Sequence, residues 1–161
     1  MNTEQIFKSI DSKEPAMLKF LETLVNIDSA KDSLEGIHQV AEHIKAKLVE
    51  LGFDAKLVET PGAATHVFGH KAAKDPNAKK VMIMGHMDTV FPLDTKLEIV
   101  REDGFIKCPG IVDDTRGCAT VLSTIRALNA AGIETKGDIQ FVGTVQEEGT
   151  GALKGMQYYV N

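Results

Sequence analysis

Cysteine is scarce in this chain. There are two in 161 residues, Cys108 and Cys118, and their spacing fits no zinc or redox motif. That excludes a disulfide framework and a thiolate metal site, leaving two reduced thiols in or near the core. Positive charge is also in short supply. The formal charge is −5, with no Lys/Arg cluster, which argues against a grip on nucleic acid or an anionic membrane. The segment Met1-Asn2-Thr3-Glu4-Gln5 has no basic region leading into an apolar run, so no signal peptide is expected. No stretch approaches membrane-spanning length, and a cytoplasmic location follows by default. Repeats, low-complexity segments and linkers are missing too. What is present is ordinary for a globular protein: 43% apolar and 25% charged residues, in a chain of single-domain length. A domain of this size buries about 70% of its unfolded surface and needs no covalent staples.

The apolar pattern predicts alternating helices and strands. Between Thr3 and Asn26, Ile6, Ile10, Met17, Phe20, Leu21, Leu24 and Val25 recur at helical spacing, with a break expected near Pro15. A stronger helix is predicted over Glu35–Leu51, where Ile37, Val40, Ala41, Ile44, Leu48 and Leu51 form one stripe and Gly52 is the stop. β-like runs follow at Phe53–Val58, His66–Phe68 and Lys80–Met84. A turn is expected over Ala72–Lys79, around Asp75-Pro76-Asn77. Asp103-Gly104, between Leu97–Val100 and Phe105–Lys107, signals a hairpin. Cys118–Ala131 reads as a helix, Gly137–Val145 as a strand, and Gly151–Val160 as the start of another helix. The alternation indicates an α/β layered domain with a central mixed sheet flanked by helices.

Three clusters of chemistry-bearing residues each follow an apolar run. The first is Gly85-His86-Met87-Asp88-Thr89-Val90, at the end of Val81–Met84. An imidazole there can bind a metal through one ring nitrogen while the Asp88 carboxylate takes the proton on the other. The second is Asp113-Asp114 after Pro109-Gly110, ahead of a helix, where anions are favoured. The third is Gln146-Glu147-Glu148-Gly149. Adjacent side chains on an extended segment point in opposite directions, so one Glu could bind a metal while the other acts as a general base. Each cluster has a plainer explanation: a polar turn, a helix cap, a solvated acidic loop. All three explanations would have to hold independently at three equivalent places. The remaining histidines, His38, His43, His66 and His70, suit surface or core roles.

At these residues the chain resembles the co-catalytic zinc exopeptidase and amidohydrolase superfamily, which includes peptidase T-like aminopeptidases, glutamate carboxypeptidases, acetylornithine deacetylases and aminoacylases. Gly85–Val90, Gly110–Gly117 and Glu147–Gly149 look like its three metal motifs in order and spacing, and the helix at 35–51 with its following Gly-Phe is family-like. The resemblance implies that His86 binds one zinc, Asp113 bridges two, and Glu148 binds the other. It makes Asp88 the residue that orients His86, Glu147 the general base, and the Asp113–Asp114 peptide bond cis. Val112 and Gln146 depart from the small residues frequent at those positions.

The resemblance further implies two zinc ions per complete site, with cobalt or manganese as substitutes, and a small peptide or N-acyl amino acid as substrate. Family members are much longer. They add another acidic ligand, a late histidine, and an inserted domain that serves dimerisation. Residues 1–161 are therefore expected to be the N-terminal part of a catalytic domain, with homodimerisation a property of the longer enzyme. The alternative expectation is a catalytically silent fragment that retains metal or partner binding only.

Overall fold

The computed structural model describes residues 3–75 and 77–160. Helices α1 (Thr3–Val25) and α2 (Leu34–Glu50) come first, followed by strands β1 (Asp54–Val58), β2 (His66–Lys71) and β3 (Val81–His86). A small hairpin, β4 (Val100–Glu102) and β5 (Phe105–Lys107), precedes α3 (Arg116–Ala130), β6 (Ile139–Thr144) and α4 (Lys154–Val160). The main sheet has the order β1-β2-β6-β3. β1/β2 and β2/β6 pair antiparallel, whereas β3 and β6 run parallel. The expected layered α/β architecture with a mixed sheet is the observed one.

The core follows from the stripe on α2. Ile37, Ala41, Ile44 and Leu48 are essentially sealed from solvent, as are Val67 of β2 and Phe141 of β6. Truncating one such side chain to Ala costs about 2–5 kcal/mol through lost transfer energy and the cavity left behind. Ser33 starts the helix by accepting a hydrogen bond from the Gly36 amide at 3.3 Å. Gly52 ends it at φ 85°, a conformation that a Cβ disfavours. β6 is buried on both alternating sets of side chains, Phe141 and Val142 alike. A second apolar cluster of Leu21, Val25, Ile111 and Ala119 joins α1 to the start of α3.

Five local expectations shift. α1 runs unbroken through Pro15; the ring removes one hydrogen bond in an exposed stretch, and the packing of Leu21, Leu24 and Val25 carries the helix across it. β2 extends to Lys71, because β6 offers partners as far as Ile139. The first hairpin strand begins at Val100 rather than Leu97, and Asp103 and Gly104 take positive φ as its turn. α3 begins at Arg116, earlier than expected, and α4 begins at Lys154, later than expected. In the turn expected over 72–79, Pro76 lies outside the described residues, and the Asp75 carboxylate accepts from the Asn77 amide at 2.9 Å.

β3 departs most from its sequence pattern. A continuous apolar run suggests a strand covered on both sides. Among the described residues it pairs only with β6, and Val81 and Met82 stand 53% and 41% exposed.

Candidate metal centre

Two parallel neighbours end side by side, and this places the site. His86 is the last residue of β3 and lies opposite Thr144, the last residue of β6. The ladder continues one step further, with the Met87 amide donating to the Thr144 carbonyl at 2.9 Å. The loops leaving both strands therefore start from the same edge, as ligand sites in α/β sheets commonly do. The chain after His86 is pinned again where the Thr89 amide donates to Ser29 at 2.9 Å and the Lys31 amide donates to Thr89 at 3.0 Å.

Within this frame His86, Glu147 and Glu148 each present a ligand atom within 4.8 Å of the others. Asp113 arrives from the far side. The chain turns at Gly110 (φ 74°), passes through Ile111 and Val112, and delivers the Asp113 carboxylate to 2.9 Å from His86 Nε2. The Asp113–Asp114 peptide bond is cis. The His86 side chain is only 11% exposed, whereas Asp113 is 75% exposed and opens to solvent. Glu147 Oε2 lies 3.9 Å from His86 Nε2. A cleft of about 200 Å³ runs past His86, Asp114 and Glu147, with Met84, Leu153 and Met156 on its apolar wall. A larger cavity of about 440 Å³ beside Lys71 and Asn129 shares none of these residues.

Asp88 takes a place that the sequence did not foresee. It is completely buried. The partner of His86 Nδ1 is the Asp88 main-chain carbonyl, at 3.0 Å; the carboxylate stands off at 3.7 Å. The carboxylate instead accepts two amides, Glu147 N–H at 3.3 Å and Glu148 N–H at 3.0 Å. One residue thus fixes the ring of His86 through its backbone and the Glu147-Glu148 backbone through its side chain. A carbonyl can only accept, so it favours a proton on Nδ1, and with Nε2 unprotonated that nitrogen could bind a metal.

Electrostatics at this spot favour a cation. Burial alone would lower the His86 pKa, but the Asp113 hydrogen bond and the charges of Asp88 and Asp114 outweigh it and hold the imidazole above its ordinary value. Burial raises the Glu148 carboxyl, and repulsion from Asp113, Glu147 and Asp88 adds to that against the pull of His86. Burial also raises Asp114, with Asp113 adding. Carboxylates that resist ionisation because they are buried, and next because they stand near one another, are stabilised by a divalent cation among them. The imidazole and carboxylate donor set suits zinc, manganese or cobalt. Cys118 is no ligand: burial, with Asp114 adding, pushes its thiol up to about 12, and its Sγ donates to the His86 carbonyl.

The other histidines stay apart from this cluster. His66 is buried in the core against the rings of Tyr158 and Tyr159. His70 pairs with Asp138 at 3.0 Å, an acidic partner too distant in sequence to be foreseen. His38 Nδ1 lies 3.2 Å from the Thr65 hydroxyl.

Comparison with known proteins gives the chain a family. Residues 82–161 match the model of Peptidase family M20/M25/M40, a stretch that contains all three clusters. Carboxypeptidase G2 of Pseudomonas sp. (strain RS-16) is 31% identical over 147 residues, 89% of this chain and 35% of that protein. The Cys-Gly metallodipeptidase DUG1 of Saccharomyces cerevisiae is 26% identical over 94% of this chain and 39% of its own length. The structure of the yeast di-peptidase Dug1p superposes with a TM-score of 0.76 at 24% identity, over 89% of this chain and 34% of that one. The chain therefore spans between about a third and two fifths of the curated relatives it matches. In motif order, sequence and fold, the chain belongs to Peptidase family M20/M25/M40.

Proposed function

We propose that residues 1–161 carry the N-terminal part of the catalytic domain of a zinc-dependent hydrolase that cleaves a peptide or amide bond in a small peptide or N-acyl amino acid. The observation that carries this reading is the meeting of His86, Glu147 and Glu148 within 4.8 Å at the ends of β3 and β6, with Asp113 2.9 Å from the same imidazole. His86 and Glu148 would each hold one of two metal ions, and Asp113 would bridge them. When bound, the ions supply Lewis acidity that polarises the scissile carbonyl and makes water a better nucleophile. Glu147 is suited to the proton transfer: its carboxylate is 43% exposed and faces the His86 ring at 3.9 Å, and its backbone amide donates to the carboxylate of the buried Asp88. It would take the proton from the attacking water and return it to the leaving amine. The names of the relatives, a carboxypeptidase and a metallodipeptidase, support a peptide substrate.

A second reading has one specific support. Among the described residues each metal would have two protein ligands, His86 with Asp113 and Glu148 with Asp113, whereas zinc sites normally use three or four. On this reading the 161-residue polypeptide by itself binds metal weakly and turns over nothing, and the further ligands, the inserted domain and any homodimer interface belong to a longer enzyme. No helix among the described residues is long and apolar enough to cross a membrane, and we place the activity in the cytoplasm.

The test is zinc titration of the chain and of its His86→Ala variant, followed by assays on dipeptides and N-acyl amino acids, alone and with the remaining family segments supplied. Zinc binding that His86→Ala abolishes supports the proposal. Equal binding by both proteins, or no binding by either, overturns it.

A further inference from the structure

We infer that Asp114, which ligates nothing in the proposed centre, is the positioning residue that sets the gap between His86 and Asp113. The inference rests on reading those two residues as metal ligands. Neighbouring aspartates hold opposite ends of one histidine. Asp113 Oδ1 meets the ring at Nε2, and Asp114 Oδ2 accepts from the His86 main-chain N–H at 3.3 Å.

That amide needs such a partner. Among the described residues β3 has a strand neighbour on one side only. On its open side the His86 N–H is met by Asp114, and the His86 carbonyl accepts from Cys118 Sγ at 3.6 Å. The Asp114 carboxylate also lies directly against Gly117 in the first turn of α3, so a single carboxylate packs the end of a strand against the start of a helix. Two glycines make the room. A Cβ on Gly117 would sit 1.8 Å from Asp114 Oδ1, and one on Gly85 would sit 2.8 Å from Oδ2 and 2.8 Å from Cys118 Sγ. With Asp113 joined directly to Asp114, any displacement of this carboxylate changes where the Asp113 carboxylate stands relative to His86.

The experiment compares Asp114→Asn, Asp114→Ser and Gly117→Ala in the 161-residue chain. Asn and Ser both remove the charge. Ser can still cap α3 but is too short to reach His86, whereas Asn keeps an acceptor of the same length. Zinc affinity should fall about 10- to 100-fold in Asp114→Ser, the usual effect of losing a residue that orients a ligand, and Asp114→Asn should bind closer to wild type. Hydrogen exchange at the His86 amide should speed up in Asp114→Ser and stay slow in Asp114→Asn. Gly117→Ala favours the helix yet displaces the carboxylate, so it should also weaken zinc binding; it decides the matter if Asp114→Ser does not fold. A merely structural Asp114 would lower stability and leave the zinc affinity of the folded protein unchanged. Wild-type zinc affinity and wild-type His86 protection in Asp114→Ser overturn the inference. If the wild-type chain itself binds no zinc, the metal reading fails, and His86 exchange alone then decides whether Asp114 holds that backbone.

Discussion

His86 Nε2 and Asp113 Oδ1 stand 2.9 Å apart, joined across the open side of an edge strand by a turn that begins at a left-handed Gly110. If Asp113 bridges two metals as proposed, Asp113→Ala should reduce occupancy at both positions, and Asp114→Ala should reduce it less. Metal content after dialysis, with a complete enzyme as the host, checks the ranking. The reverse order would mean that the wrong aspartate has been assigned.

Glu147→Gln in a complete enzyme should retain its metal and lose turnover. Removing a general base costs roughly 100- to 10,000-fold in rate. Near-normal kcat in this variant would rule Glu147 out as the base.

Asp88 is buried and receives the amides of Glu147 and Glu148. Replacing it with Ala leaves two partly buried amide donors without this acceptor, and each hydrogen bond to a charged group contributes about 1.5–3 kcal/mol. Urea unfolding of Asp88→Ala should show a loss of at least that size. Unfolding that matches wild type would show that the carboxylate does not hold the Glu147-Glu148 loop.

The pH dependence has opposite signs with and without metal. The folded pKa values of His86, Glu148 and Asp114 are all raised, so the folded apo chain holds these protons more tightly than the unfolded chain does. Their contribution to stability is present below the unfolded pKa values and is lost as pH rises through the folded ones. For His86 that loss begins near its ordinary value of 6.5 and is complete above the raised value. On the proposed assignment metal needs its ligands His86 and Glu148 deprotonated, so the rise in Tm caused by zinc should grow as pH rises through the same window. Thermal melts at pH 6 and pH 8, with and without zinc, measure both slopes. His86→Ala should flatten each of them.

The exposed edge of β3 should make the isolated chain associate. Val81 and Met82 are exposed beside backbone groups that have no strand partner on that side among the described residues, a template for pairing between chains. Val81→Lys should shift sedimentation toward monomer and raise solubility. Unchanged association in this variant would place the contact elsewhere.

Much of this protein was legible from residue order alone. The stripe Ile37, Val40, Ala41, Ile44 and Leu48 marks α2, because side-chain period and burial are tied by helix geometry. The positions of His86, Asp113, Glu147 and Glu148, each just past an apolar run, mark loops at strand or helix ends. Those signals are local, so the chain displays them directly. Pairing partners are another matter. That β3 lies parallel to β6 and at an edge depends on which strands meet, and the apolar run Val81–Met84 suits a covered strand equally well. The partner of His70, Asp138, lies 68 residues away.

The division is sharpest at the two aspartates beside the site. Sequence by itself determined that Asp88 and Asp114 lie next to candidate ligands. Only the tertiary structure decided that Asp88 turns its carboxylate to the Glu147 and Glu148 amides and offers His86 its carbonyl, and that Asp114 takes the His86 amide. A carboxylate's partner is set by which buried donors lack another acceptor, and that is known only once strands and helix ends have been brought together.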